Sequence, residues 1–366
     1  MEFAFTDEQN QLRETVAQFL ESRCPIAETR NQIRSTNGHD QDVWRSLVRD
    51  LGLGGIHAPV EQGGAGLSYV ETCIVLEEMG RALYSGPFLS SNVLSVNALM
   101  CCEGANTATF LTDVVSGDSK ATLAFIERNA KWNLQEFECS ANNGSLSGEK
   151  TFVFDGPSAD LLIIAARSNI SDRYGLYAVE ANSAGIDYVA LDSIDLTRRL
   201  STIRFDSVKA IELGAIDESK YQAFLDLAVV ALANEMIGGA QRMLDSAVEY
   251  ASTRVQFGRT IGSLQAIKHK CAELLLDVEL AKSACYRAAE AMDHEDLNRS
   301  QLASIAKAMA SDVFVRAALD CIQVHGGIGF TWENDTHLWY RRAKSSEVYL
   351  GDSSFHRERY LQELGV

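Results

Sequence analysis

The sequence predicts an α+β fold in three consecutive parts: a helical domain over residues 1–117, a β domain over 118–215 and a C-terminal four-helix bundle over 216–366. Three observations predict it. Short runs rich in β-branched and aromatic residues, punctuated by turn signals, are confined to the stretch from Lys120 to Gly214. All four prolines (Pro25, Pro59, Pro87, Pro157) lie in the first two parts, and proline is the strongest helix breaker. The Pro-free remainder carries apolar residues at helical spacing over four long stretches.

In chain order, Thr6-Asp7-Glu8-Gln9 fits a capping box, in which hydroxyl and amide satisfy free helix N–H groups. Leu12, Val16, Phe19 and Leu20 then mark the buried face of the first helix. The Gly-rich loop from Gly52 to Gly66 holds Pro59 and Gly63-Gly64, and lacks the Lys-Ser/Thr ending of a phosphate-binding P-loop. A further helix spans Ser68 to Ala82. Strands are predicted at Ala121–Ile126, Thr151–Phe154, Leu161–Ile164 and Gly175–Val179, with turns at Asn142-Asn143-Gly144 and Asp155-Gly156-Pro157. The first helix of the bundle runs from Tyr221 to Thr253. The second starts near Leu264 and lines up Leu264, Ile267, Cys271, Leu274, Val278, Ala281, Cys285 and Ala288 on one face. Gly258 breaks the chain between these two antiparallel helices.

Composition excludes some function classes. Apolar residues make up 46% of the 366, which argues against disorder. The formal net charge of −17 disfavours general affinity for nucleic acid or an anionic membrane surface, though a local basic patch would still suit the phosphates of a CoA ester. Eight cysteines without metal-ligand spacing read as reduced thiols, which predicts a cytoplasmic protein. The acidic start, Met1 to Glu8, is unlike a signal peptide, and no apolar stretch is expected to span a bilayer.

Two stretches carry chemistry. Arg254-Val255-Gln256-Phe257-Gly258 offers a guanidinium and an aromatic face at a corner between helices. Gln323-Val324-His325-Gly326-Gly327-Ile328-Gly329 has a Gly-Gly pair that lets a backbone approach a ligand closely. Alone, the first is an ordinary helix–loop–helix corner and the second an ordinary loop. Together they suggest a cradle for a cofactor bearing phosphates and a ring. Their combination, Tyr250 to Ile261 followed by Gln265-Ala266-Ile267, then Gln323 to Glu333, Tyr340 to Lys344 and Val348-Tyr349, resembles the acyl-CoA dehydrogenase family. The loop from Ala58 to Gly66 also recurs there. The resemblance implies the helix–β–helix order, FAD as cofactor, an acyl-CoA substrate and electron-transfer flavoprotein as acceptor. It also implies that Arg254 and Phe257 hold FAD across a subunit interface, with Gln323, Gly326 and Gly327 at its pyrophosphate.

The family's reaction needs a carboxylate to remove the proton α to the thioester while the β hydrogen leaves as hydride to the flavin. Aligned on Ala343-Lys344, the position of that Glu is Leu350. The alternative position used by some members, on the first long helix of the bundle, is Ala228. Asp226, Glu235, Glu347, His325 and His356 are the nearest titratable side chains in sequence, with Glu347 expected to be solvated or bridging. The flavin-ring segment of the family, Thr-Glu-Pro followed by Gly-Ser-Asp, is replaced by Ala124-Phe125-Ile126-Glu127-Arg128-Asn129-Ala130. The expectation is therefore a chain with no catalytic residue of its own: one subunit of a heteromeric α2β2 enzyme, contributing FAD contacts to a partner that carries the Glu. By analogy its substrates are CoA esters of bulky, steroid-derived acyl groups. Two alternatives stand: a self-sufficient homo-oligomeric flavoprotein with a non-standard base, and a non-catalytic scaffold of the same fold.

Overall fold

The computed structural model describes residues 5–129, 133–171, 173–293 and 297–365. Ala130, the last residue of the segment that replaces the flavin-ring motif, and Met1 to Ala4 of the acidic start lie outside them. Six helices come first: α1 (Asp7–Arg23), α2 (Ile26–Arg34), α3 (Gln41–Arg45), α4 (Tyr69–Ala82), α5 (Val96–Met100) and α6 (Thr107–Val115). The capping box at Thr6 and Gln9 is present in both directions. Ser68 caps α4 by accepting from the Val70 N–H.

An eight-stranded mixed sheet follows. Its strands are β1 (Ala121–Ala124), β2 (Ser140–Asn142), β3 (Ser145–Phe154), β4 (Leu161–Ser168), β5 (Tyr174–Glu180), β6 (Ile186–Leu191), β7 (Leu200–Lys209) and β8 (Ile211–Ile216). They lie in the order β6-β7-β3-β2-β4-β5-β8, with β1 parallel to β4. The Asn143-Gly144 turn joins β2 to β3 with both residues at positive φ, as a two-residue hairpin requires. Sequence reading missed β2, β6, β7 and β8. The reason is plainest for β6, an edge strand with no fully buried residue and so only a weak apolar signal.

The last part contains α7 (Glu218–Thr253), a hairpin of β9 (Val255–Gln256) and β10 (Arg259–Thr260), then α8 (Gln265–Asp293), α9 (Arg299–His325), α10 (Thr336–Val348) and α11 (Ser353–Glu363). The fourth member of the bundle is split. Leu350 and Gly351 take φ of 60° and 98°, which ends α10, and both α10 and α11 pack on α9. Helix α7 is by length and composition apolar enough to cross a membrane, contrary to the expectation that none would be. Within the fold, 89% of its most apolar window is buried. It crosses α4 at glycines: a Cβ on Gly238 would stand 1.8 Å from Glu77 O, and one on Gly80 would stand 1.9 Å from Glu235 O. Glycine inside a helix costs about 1 kcal/mol. Here it permits backbone contact that seats Glu235 at the junction of all three parts.

Candidate functional site

The two sequence signatures come together at one end of the bundle. Arg254 caps the C-terminus of α7, and its N–H donates to Tyr250 O at 2.9 Å. The chain then turns through Phe257 and Gly258, at φ of 53° and 74°. Predicted as a simple breaker, Gly258 is thus half of a two-residue hairpin turn that lifts Phe257 off the bundle, where it is 90% exposed. At the end of α9 the chain leaves through Gly326 (φ 68°, ψ −142°), a conformation for glycine alone. Nothing lies within 4 Å of a Cβ built on Gly326 or Gly327, and Gln323 is exposed one turn earlier. The ring of Tyr250 stacks on that of His325, centroids 4.2 Å apart, and so ties the two ends together.

This end fits a dinucleotide. It offers an exposed guanidinium, an exposed aromatic face, and a backbone that a Cβ would obstruct.

The interior, where a base would have to stand, is arranged differently. Leu350 and Ala228 are both buried. The three carboxylates singled out in the sequence are already paired. Asp226 accepts from Ser300 Oγ at 2.6 Å and from Arg359. Glu235 accepts from Arg342 Nη1 at 2.6 Å and from Arg198. Glu347 pairs with Lys344 on the same helix. His356 is buried with Nε2 donating to Leu350 O at 2.8 Å, and burial, followed by the nearby Lys307 ammonium, pushes its pKa down to about 3. It takes up no proton at neutral pH. His325 donates from Nδ1 to Cys321 O at 2.9 Å.

Around Arg342 and Phe154 the space between sheet and bundle is filled. Phe154 lies against Tyr349, centroids 4.3 Å apart. Arg342 Nε donates to Asp195 Oδ2 at 2.6 Å, Arg198 Nη1 to Ser346 Oγ at 3.0 Å, and Ser90 Oγ to Asp155 Oδ2 at 2.6 Å. The gap left among Phe88, Phe154, Asp155, Arg198 and Glu235 is about 20 Å³, room for one water.

The segment in place of the flavin-ring motif folds inward. Glu127 accepts from the N–H groups of Glu138 and Cys139 at 2.7 and 3.0 Å and from Lys150 Nζ at 2.7 Å, with both side chains buried. None of this network was found from sequence. Its partners are far apart along the chain, and only the buried charge types themselves gave a signal.

A cleft of about 700 Å³ opens beside Leu350 between α7, α11 and the turn at Asn133 to Glu136. Its walls carry Glu136, Glu218, Glu358 and Glu363 against Arg359, whose charge is spent on Asp226. Among the described residues of this cleft there is no local basic patch of the kind a CoA ester would need. The described residues contain no cluster of side chains able to hold a metal ion.

Residues 6–118 match the acyl-CoA dehydrogenase N-terminal domain and residues 221–365 the C-terminal domain. The chain is 31% identical to the acyl-CoA dehydrogenase IpdE2 of Mycobacterium tuberculosis over 94% of its own length and 93% of that protein's. The crystal structure of the ChsE4–ChsE5 complex from Mycobacterium tuberculosis superposes with a TM-score of 0.90, at 26% identity, over 100% of this chain and 99% of that one. A steroid acyl-CoA dehydrogenase variant, Tcur3481–Tcur3483, superposes with a TM-score of 0.88, at 25% identity, over 98% of each chain. The fold and these matches thus lead to one assignment: the chain belongs to the acyl-CoA dehydrogenase family, whose members are FAD-dependent flavoproteins.

Proposed function

We propose that this chain is the non-catalytic subunit of a heteromeric acyl-CoA dehydrogenase, lending one face of the FAD site to a partner of the same fold that carries the base. The observation that supports this best is the contrast between its two ends. Leu350 and Ala228 are apolar and buried, and Asp226, Glu235 and Glu347 are already in ion pairs. The cradle end stays open. When bound, FAD supplies the hydride acceptor. Arg254 would pair with its phosphate oxygens, Phe257 would cover part of the dinucleotide, and Gln323 with the Gly326–Gly327 backbone would meet the pyrophosphate. The acidic cleft beside Leu350 disfavours the phosphates of CoA, so the acyl-CoA substrate belongs in the partner's cleft.

The relatives whose descriptions name a steroid enzyme or a two-protein complex support a bulky, steroid-derived acyl group and a second acyl-CoA dehydrogenase-like subunit. Electron-transfer flavoprotein as acceptor and a cytoplasmic location complete the proposal, the latter supported by eight free thiols. So do domain limits at 117/118 and 215/216, supported by the last helix before the sheet ending at Val115 and by α7 starting at Glu218.

The test is electron transfer from a panel of acyl-CoA esters to an artificial acceptor, for the chain alone and with a co-expressed acyl-CoA dehydrogenase-like subunit that carries the Glu. Turnover by the pair and not by the chain is expected. Robust turnover and yellow colour from the isolated chain would replace this reading with that of a self-sufficient enzyme.

A further inference from the structure

The halves of the cradle come from helix ends far apart in sequence, and helix ends fray. A pyrophosphate held by a guanidinium on one half and by backbone on the other requires a fixed distance between them. One ring pair stands at that junction. Tyr250 lies one helical turn before Arg254 and accepts its backbone N–H at 2.9 Å. His325 directly precedes Gly326, and its ring plane is set by the Nδ1–H bond to Cys321 O at 2.9 Å. The two rings stack with centroids 4.2 Å apart and planes inclined by 22°.

We propose that Tyr250 and His325 are positioning residues for the cofactor. Their stack fixes the hairpin that carries Arg254 against the Gly326–Gly327 turn, so that both engage one dinucleotide. This inference rests on the reading that the cradle takes the partner's FAD.

The measurement is FAD affinity of the chain assembled with its partner subunit, followed by flavin fluorescence, for Arg254→Ala, Tyr250→Leu, Tyr250→Phe and the double variant Tyr250→Leu/Arg254→Ala. Tyr250→Leu is expected to weaken FAD binding about three- to tenfold, the range a ring pair supports. Tyr250→Phe, which keeps the stack, retains the affinity. In the Arg254→Ala background Tyr250→Leu adds nothing, because it acts through a group already removed.

Should Tyr250→Leu fail to fold, His325→Leu breaks the same stack from the other side and carries the same expectations. A lower melting temperature with unchanged FAD affinity, or losses that add in the double variant, overturns the positioning role. An Arg254→Ala assembly with unchanged affinity overturns the cradle reading, and this inference with it. Weakening by Arg254→Ala without weakening by Tyr250→Leu overturns this inference alone.

Discussion

At the scale of single residues, Arg342 shows what the interior has been given over to. Its guanidinium is 2% exposed and serves Asp195, Glu235, Thr197 and the Tyr84 carbonyl. Removing one member of a buried charge network strands the others, at about 3–5 kcal/mol. Arg342→Ala should therefore shift the denaturant midpoint strongly. Arg316→Ala, at a surface triad of Glu273, Asp277 and Asp320, should cost about 1 kcal/mol or less. Equal costs would mean that the interior network is not coupled as the distances indicate. Restoring a carboxylate by Leu350→Glu should give no turnover in the isolated chain. The new group would stand beside the acidic cleft, and the segment that would line a flavin ring is replaced by the buried Glu127–Lys150 pair, so no aligned hydride acceptor would face it. Robust acyl-CoA oxidation by that variant would show that the missing base alone is limiting. That Leu350 stands at the family's base position was legible in the sequence, and a Leu cannot take a proton. The partners of Glu127, Glu235 and Asp226 were not, since each pairing depends on chain segments brought together only by folding.

The hairpin at the end of α7 is an element whose sequence works against its own backbone. A two-residue turn with both φ positive favours Asn-Gly, and here it holds Phe-Gly, with Phe257 at φ 53°. A non-glycine residue in that region costs about 1–2 kcal/mol. Phe257→Asn should accordingly raise the stability of the isolated chain, by up to about 1 kcal/mol. The same change should weaken FAD retention in the assembly by removing the exposed ring. If stability rises and FAD affinity stays the same, Phe257 has no role at the cofactor. Helices were the legible elements. The capping box, the face of α8 through Leu274, Val278, Ala281, Cys285 and Ala288, and the start of α4 all agree with the pattern read beforehand. Strands with little burial, such as β6, leave only a weak apolar signal. The split between α10 and α11 turns on a leucine at positive φ, which propensity does not announce.

For the whole molecule, the three-part order could be read in advance because proline, turn signals and helical periodicity segregate along the chain. The need for a partner rests on what two positions lack. Acid sensitivity follows from buried neutral histidines in two parts of the fold. Burial holds His356 down to about 3 and His57 to about 4, against an ordinary 6.5 in the unfolded chain. Above about pH 6.5 both states are neutral at these groups. As pH falls below that, the unfolded chain binds protons that the folded one does not, and stability declines toward the folded values. The melting temperature should fall between about pH 7 and 5, and His356→Gln should flatten part of that slope. A slope unchanged by the substitution would mean that His356 protonates in the folded state. Assembly gives the final expectation. A ligand that binds only a site completed by two chains stabilises only the pair, by about 2.7 kcal/mol at a hundredfold excess over Kd. FAD should leave the melting temperature of the isolated chain unchanged and raise that of the chain with its partner, with light scattering showing the larger assembly. On the proposed function, the exposed Phe257 and the open Gly326–Gly327 backbone are half of such a site, and the other half comes from the partner. A rise in melting temperature for the isolated chain on adding FAD would show that it completes the site without the partner.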